Sequence, residues 1–242
     1  MIANLTLNLA NGRQLPFSYP KSPLMDAVCQ NILVRGEYPP LRFLADAQVV
    51  VDVGANVGAT AVVFSMQYPQ AIIYALEPAR EAFSYLERNT AALPNVRRFN
   101  VGALDRDVEA PLFLGKQASV TNSLASNALT DGQTEIIRLR RLSTFLAEQS
   151  IDRISLLKLD TEGAELPILR DLLPLLPAKI DALFIEYHSE ADRLELDRLL
   201  APNFTLFASR AEHPHRGLVC FVAKSVLAGK TKWDSLRIDG VA

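Results

Sequence analysis

Cysteine is scarce in this 242-residue sequence, which holds only Cys29 and Cys220, far apart in the chain. Two distant cysteines make neither a disulfide scaffold nor a zinc site, so we expect both to be small buried apolar residues. No uninterrupted apolar run reaches the roughly 18 residues that a membrane-spanning helix needs. The N-terminus lacks a basic segment followed by an apolar run, so we predict no signal peptide and a cytoplasmic protein.

An excess of charge of one sign is also missing, since 25 basic and 27 acidic residues give a formal net charge of -2. Surfaces that bind nucleic acid usually carry a basic excess or stripe, so we predict no nucleic-acid partner. Apolar residues make up 49% of the chain, which is enough for a large core. Nothing in the sequence indicates an oligomeric state.

From residue 48 onward, short apolar segments alternate with segments of helical spacing. The predicted strands are 48–53, 71–77, 96–101, 154–160, 181–187, 204–209 and 217–223. The predicted helices are 57–67, 79–92, 143–149, 164–173 and 190–200. Such alternation is typical of βαβ units, whereas the last two strands are too close for a helical crossover. We therefore predict an α/β fold with a mostly parallel seven-stranded sheet, an antiparallel last strand and helices on both faces.

Two parts of the chain fall outside this alternation. Residues 1–45 combine a strand at 3–9, a hairpin signal at 11–13 and helical spacing at 23–35, so they form a predicted cap before the main domain at 46–225 and a tail at 226–242. Residues 106–141 hold two strand-like pieces around a polar loop at 116–133. Loops of that length are usually functional, and we predict that this one closes over a bound substrate, with Asn122 and Ser123 in contact with it.

A glycine-rich turn at 54–58, GANVG, follows the first predicted strand of the main domain and opens a helix, which is the context of a nucleotide-binding loop. It lacks the Gly-Lys-Ser/Thr of a P-loop, and its G-x-x-x-G spacing differs from the G-x-G-x-x-G of a dinucleotide turn. Asp52 at the end of the strand would repel a pyrophosphate and attract a ligand that carries a cation. S-adenosylmethionine has an ammonium and a sulfonium and no phosphate. Glu77, at the end of the second strand, suits the ribose hydroxyls of such a ligand.

Several motifs, in order, resemble the FkbM-type methyltransferases over residues 36–223. They are GEYPP at 36–40, VVVDVGANVGA at 49–59, YALEPAREAFSYLERN at 74–89, NVGALDRD at 100–107, LLKLDTEGAELPIL at 156–169 and FIEYH at 184–188. The resemblance implies a class I (Rossmann-like) methyltransferase fold, an S-adenosylmethionine cofactor and transfer to a hydroxyl oxygen of a small metabolite or sugar. The predicted cofactor-binding residues are Asp52, Gly54, Ala55, Asn56, Gly58, Glu77, Pro78, Gly102, Ala103, Asp160 and Tyr38.

Acids and a histidine end two further strands, since Asp160 closes the fourth, and Glu186 and His188 close the fifth. A hydroxyl acceptor needs a general base, so we predict catalytic roles for these three side chains, with His188 or Asp160 as the base and Glu186 orienting its partner. Alternatively, Asp160, Glu162 and Glu186 hold a Mg²⁺ ion, although we assign no metal ligand.

Acceptor binding is predicted for residues near the same edge of the sheet: Asn122, Ser123, Glu162, His213 and His215. Two other functions share the glycine turn. One is an NAD-dependent oxidoreductase, against which Asp52 and the antiparallel final hairpin argue, and the other is a non-catalytic binding module of the same fold.

Overall fold

The structure is a computed structural model that describes residues 1–9, 12–116, 119–124, 130–213 and 215–228. Its strands are β1 (Ile2–Asn8), β2 (Gln14–Pro20), β3 (Val49–Val53), β4 (Ile72–Leu76), β5 (Val96–Phe99), β6 (Gly102–Leu104), β7 (Val108–Gly115), β8 (Thr130–Arg141), β9 (Ile154–Leu159), β10 (Ile180–Tyr187), β11 (Phe204–His213) and β12 (Arg216–Ala223). Its helices are α1 (Pro23–Leu33), α2 (Ala59–Gln67), α3 (Arg80–Thr90), α4 (Leu142–Glu148), α5 (Glu165–Leu172), α6 (Leu176–Lys179), α7 (Glu190–Leu200) and α8 (Lys224–Leu227).

Seven strands form the main sheet, in the spatial order β11-β12-β10-β9-β3-β4-β5. Every neighbouring pair is parallel except the two pairs that involve β12. The predicted mostly parallel sheet with an antiparallel last strand is therefore confirmed. The strand order reverses between β3 and β9, and ligands of such sheets bind at the carboxyl ends of the strands beside that point.

The central strands are buried along their whole length, as their unbroken apolar runs predict for a sheet covered on both faces. All six residues of β9 are buried, and so are the last four of β3. One apolar cluster packs α4, α5 and α7 on one face, and a second packs α1 and α2 on the other. Cys29 and Cys220 are buried free thiols in the second cluster, in agreement with the sequence analysis.

The N-terminal hairpin of β1 and β2 packs on the main domain through α3. Asn89 in α3 is buried, exchanges two 2.8 Å hydrogen bonds with the backbone of Ser18 in β2, and donates a third to the carbonyl of Val57. Phe17 and Met25 share an apolar cluster with Val50 of β3. The domain boundary that we predict at residue 45 therefore crosses a continuous core. Of the predicted hairpin signal at 11–13, only Asn11 lies outside the described residues; Gly12 has a φ of 76°, and the antiparallel pairing of β1 with β2 confirms the hairpin. Most of the predicted tail lies outside the described residues.

Residues 102–141 differ from the prediction, because they build a separate three-stranded sheet in the order β6-β8-β7. The third predicted strand ends at Phe99 rather than at 101, and β6 starts at Gly102. β7 and β8 pair antiparallel from Val108 to Gly115, so the predicted loop at 116–133 is shorter than its polar composition indicates. No helix within the described ranges has the length and apolar character required to cross a membrane.

Candidate active site

A cavity of about 530 Å³ opens at the carboxyl ends of β3, β4, β9 and β10, where the strand order predicts a ligand site. Twelve of the residues that the sequence analysis selected line it: Tyr38, Gly54, Ala55, Asn56, Glu77, Pro78, Gly102, Ala103, Asn122, Asp160, Glu162 and Glu186. Six others do not: Asp52, Gly58, Ser123, His188, His213 and His215. Most of the predicted cofactor-binding residues thus line the same cavity as two of the predicted acceptor residues, Asn122 and Glu162.

The glycine turn is shaped by close backbone contact between β3 and β9. Gly54 has φ of 78°, and a Cβ at this position would lie 1.8 Å from the carbonyl oxygen of Asp160. Only glycine fits where a left-handed backbone meets another chain segment this closely. Gly58, with φ of 90°, begins α2 and packs against Leu86, so it is placed for helix packing rather than for ligand contact.

Asp52 is fully buried beside the turn and does not reach the cavity. Its Oδ2 accepts a 2.5 Å hydrogen bond from Thr60, and its Oδ1 lies 3.3 Å from the ammonium of Lys158. Asp52 is therefore already paired with a cation of the protein, and its predicted direct attraction to a ligand cation stays a prediction. Asp160, whose Oδ2 lies 3.5 Å from the same ammonium, is the carboxylate of this group that lines the cavity.

Glu77 ends β4 with both carboxylate oxygens held by backbone amides. Oε2 accepts from the amide of Asn56 at 2.8 Å, and Oε1 accepts from the amide of Ala79 at 2.9 Å. Burial raises the pKa of Glu77 to about 7, although these two amides act in the opposite direction. Each oxygen keeps a lone pair for a further donor, so the carboxylate is oriented to accept from two hydroxyls of a ligand.

His188 lies among three carboxylates just behind the cavity wall. Nε2 is 3.4 Å from Glu162 and 3.9 Å from Glu186, and Nδ1 is 3.6 Å from Glu165. Burial favours the neutral imidazole, but Glu162 and Glu165 outweigh it and raise the pKa of His188 to about 11. An imidazolium at neutral pH has no free lone pair to accept a proton, so this geometry argues against our prediction of His188 as the base.

Glu186 and Asp160 both line the cavity, and their environments push their pKa values apart. Burial and the neighbouring Asp160 raise the pKa of Glu186 to about 8, against the effect of Arg216, whose Nε donates to it at 2.6 Å. Burial acts upward on Asp160 as well, but Lys158, His188 and Arg216 together hold its pKa below the usual value. Of the two carboxyl groups, Glu186 has the pKa closer to working pH.

The comparison with known proteins identifies the family. A family model described as the methyltransferase FkbM domain matches residues 52–209, which is well over half of the chain. The chain belongs to the FkbM methyltransferase family. The resemblance found in the motifs is thereby confirmed, and the cofactor of the protein is S-adenosylmethionine.

Two relatives of this FkbM methyltransferase illustrate the similarity. It is 29% identical over 147 residues to Methyltransferase 1 of Beauveria bassiana, a match covering 52% of this chain and 59% of that protein. It is 31% identical over 152 residues to Methyltransferase sdnD of Sordaria araneosa, covering 50% and 59%. The matched part thus spans less than two thirds of each relative.

A solved structure supports the fold of the FkbM methyltransferase and nothing further. The fibrillarin pre-rRNA processing protein of Methanococcus jannaschii superposes with a TM-score of 0.50 and 12% identity, over 91% of this chain and 83% of that one. The seven-stranded sheet with an antiparallel last strand is accordingly the class I methyltransferase fold.

The remaining predicted acceptor residues of the FkbM methyltransferase occupy different places. Asn122 lines the cavity but accepts from the amide of Gly115 at 2.8 Å, and Ser123 is buried and pairs with Phe113 through the backbone. His213 and His215 are exposed at the β11–β12 turn, with ring centroids 5.3 Å apart. Neither histidine lines the cavity, whereas Arg216, which follows them, does.

Tyr38 lines the cavity from the segment before β3, but it is almost completely buried. Its ring packs edge-on against Phe64 and Phe184, with centroids 5.7 and 5.5 Å away. Burial, together with the carboxylates of Asp160 and Glu186, holds the pKa of Tyr38 well above its usual value. The ring is therefore a fixed part of the wall near the acidic group, and its predicted contact with the cofactor stays a prediction.

The sequence analysis missed two apolar parts of the cavity. Leu112, Ile137 and Leu139 come from the small sheet, where Gly102 lies so close that a Cβ would be 2.6 Å from Leu139. Apolar and polar residues alternate in APLFLG at 110–115 and EIIRLRRL at 135–142, which indicates strands. The alternation does not show which face of these strands meets a ligand. Leu24 and Val28 come from α1, where their helical spacing is equally typical of a core face.

Three side chains in this region lie close enough together to contact one metal ion. Ligand atoms of Asp160, Glu165 and His188 lie within 4.8 Å of one another, which differs from the predicted set because Glu165 and His188 replace Glu162 and Glu186. A histidine binds metal in its neutral form, and the raised pKa of His188 opposes that form. The two carboxylates of this group already have cations beside them, His188 for Glu165 and Lys158 for Asp160.

Proposed function

We propose that the protein transfers a methyl group from S-adenosylmethionine to a hydroxyl oxygen of a small molecule or glycan. The observation that carries this proposal is that Asp160 and Glu186 line the same cavity as the glycine turn and Glu77. A carboxyl group with a raised pKa near the cofactor site is what deprotonation of a weakly acidic alcohol requires.

The cavity fits the cofactor at three places. The turn at Gly54 lets a ligand approach the backbone, Glu77 has two oriented acceptors for the ribose hydroxyls, and Leu139 beside Pro78 and Gly102 forms an apolar slot for the adenine. When bound, S-adenosylmethionine supplies a methyl group on a sulfonium, which is already a good leaving group. The protein's task is then to align the acceptor and remove its proton.

Glu186 is the group that we propose as the base, with Asp160 beside it as a carboxylate that stays ionised. Arg216 and His188 orient Glu186 from two sides, at 2.6 Å and 3.9 Å. His188 is in this view a positioning residue. Glu162, Glu165 and Glu186 would repel one another as neighbouring carboxylates. The positive charge of His188 lies between them and reduces this repulsion.

A small neutral acceptor agrees with the charges at the cavity. The basic side chains that line it within the described residues, Lys158 and Arg216, both pair with carboxylates. Five acidic side chains line the same space: Glu37, Glu77, Asp160, Glu162 and Glu186. Such a wall disfavours phosphate-bearing acceptors, including nucleic acids.

The test starts with calorimetric titration of S-adenosylhomocysteine and NAD, which separates the two cofactor classes. The next step is incubation with methyl-labelled S-adenosylmethionine and a panel of sugars and natural-product alcohols, followed by mass spectrometry of the product. We expect S-adenosylhomocysteine to bind more tightly than NAD and at least one alcohol to become a methyl ether. Label that is found only on nitrogen or carbon of any acceptor would contradict O-methylation.

Chelation provides a separate test of the metal alternative. We expect extensive dialysis against EDTA to leave methyl transfer unchanged, because the carboxylates around His188 already have two protein cations beside them, His188 itself and Arg216. Activity that is lost on dialysis and restored by Mg²⁺ would show that the acids hold a metal instead.

A further inference from the structure

Helix α1 carries two apolar stripes, one buried in the core and a second along the active-site cavity. Met25 and Cys29 are fully buried against the main domain. Leu24, Val28 and Ile32, at the spacing i, i+4 and i+8, are half-buried and line the active-site cavity. Of the three, Ile32 also packs against the core, whereas Leu24 and Val28 face the cavity only. We call these three residues the α1 wall. A short surface helix needs a single apolar stripe to pack, so the second stripe requires another explanation.

The α1 wall lies outside the part of the chain that the family comparison describes, which begins at residue 52. The cofactor contacts that we propose, moreover, lie elsewhere: the turn at Gly54, the carboxylate of Glu77 and the apolar slot at Leu139. Adenine is the large apolar group of S-adenosylmethionine, and that slot accounts for it. A second apolar wall on the same cavity therefore fits a group that belongs to the acceptor.

We propose that the α1 wall is an acceptor subsite, and that the acceptor carries an uncharged hydrocarbon moiety, alkyl or alicyclic, together with the hydroxyl that is methylated. This inference rests on the proposed function and adds the acceptor's chemical class. The hydrocarbon packs against Leu24 and Val28, while the hydroxyl lies at Glu186. Burying apolar surface against such a wall strengthens binding in proportion to the area covered.

The test measures dissociation constants of ethanol, 1-butanol and 1-hexanol for the protein saturated with S-adenosylhomocysteine, by NMR titration. We expect affinity to rise about fourfold per added methylene, as apolar transfer predicts. Val28→Asn and Leu24→Asn should each reduce that increment to less than twofold per methylene, with the affinity for S-adenosylhomocysteine changed by less than twofold. Two variants are used so that a misfolded protein, detected by circular dichroism, does not decide the result.

Val34→Asn is the matched control, because Val34 at the end of α1 is 74% exposed and does not line the cavity. It should keep the fourfold increment. The inference is overturned if Val28→Asn retains the increment. It is also overturned if Val28→Asn weakens the binding of S-adenosylhomocysteine as much as the binding of 1-hexanol, because the wall would then be part of the cofactor site. If wild-type protein does not bind S-adenosylhomocysteine, the proposed function fails by itself, and the alcohol series on the free protein still tests the wall.

Discussion

The ammonium of Lys158 lies 3.3 Å from Oδ1 of Asp52, and the two side chains are only 2% and 0% exposed. The same ammonium donates to the carbonyl of Gly54 at 2.8 Å and lies 3.5 Å from Asp160. Burial alone would favour a neutral lysine, but the two carboxylates hold the pKa of Lys158 above its usual value. One enclosed cation thus joins the ends of β3 and β9 beneath the glycine turn.

Replacing Lys158 by methionine should destabilise the protein by about 3–5 kcal/mol, because a buried carboxylate loses its counter-charge. Urea unfolding of Lys158→Met measures this loss. The double variant Lys158→Met/Asp52→Asn removes one charge of each sign and should recover a large part of it. Equal stability of the single and double variants would show that the two residues do not act as a pair.

Gly54→Ala should abolish measurable binding of S-adenosylhomocysteine, since the added Cβ would force the turn away from the carbonyl of Asp160. The matched control is Gly132→Ala in β8, where φ is +85° but no atom lies within 4 Å of the added Cβ. The control bears only the backbone strain of roughly 1–2 kcal/mol and should bind the ligand normally. Calorimetric titration compares them, and normal binding by Gly54→Ala would refute the close-contact explanation.

Glu77 makes stability depend on pH in a defined direction. Its folded pKa, about 7, lies above the usual 4.5, so the stability it contributes is complete below pH 4.5 and is lost as pH rises through 7. A shift of this size corresponds to roughly 3 kcal/mol. The stability of Glu77→Gln relative to wild type should therefore increase between pH 4.5 and 7.5, as measured by urea unfolding. A pH-independent difference would show that Glu77 is not desolvated.

The affinity for S-adenosylhomocysteine should change with pH in the opposite sense. Protonation of Glu77 below pH 7 removes a hydrogen-bond acceptor from the ribose hydroxyls, so wild-type affinity falls as the pH decreases. Glu77→Gln should bind more weakly, by about tenfold or more, and without this dependence. Equal affinities of the two proteins for S-adenosylhomocysteine at pH 8 would show that Glu77 does not bind the cofactor.

The pH dependence of methyl transfer separates Glu186 from His188. With Glu186 as the base, kcat/KM rises with pH through about 8, because its proton must be lost first, and Glu186→Gln removes this limb. His188 lowers the pKa of Glu186 by its charge, so His188→Gln should shift the limb to higher pH and keep it. A histidine base would instead make the limb disappear in His188→Gln and persist in Glu186→Gln.

Most of the fold follows from local pattern. The strands of the main sheet have unbroken apolar runs with turn residues between them, and such runs predict β3, β9 and β10 to within a residue or two. The small sheet was harder to predict because β7 and β8 pair across a polar segment, and pairing between distant segments leaves little trace in either one. The polar residues at 130–135 belong to β8 and not to a loop, because their strand conformation comes from hydrogen bonding to β7 and not from their own composition.

The site was predictable in position but not in the roles of its charges. Strand ends placed Glu77, Asp160 and Glu186 at one cavity, because parallel strands bring their carboxyl ends together. S-adenosylmethionine was the right cofactor, yet Asp52, the reason offered for it, is already paired with Lys158. Spacing alone shows neither which carboxylates a lysine neutralises nor that three glutamates surround His188. The predicted cytoplasmic location stays a prediction.

Asn89 links the N-terminal hairpin to the glycine turn, through its hydrogen bonds to Ser18 and to the carbonyl of Val57. The segment that precedes the family-defining region is thus anchored directly to the glycine turn. Chimaeras that exchange N-terminal segments among relatives to alter acceptor preference would inherit this constraint. A graft that carries α1 without β2 removes the Ser18 partner from Oδ1 and from one N–H of the buried Asn89 side chain, so the transplantable unit begins at the hairpin.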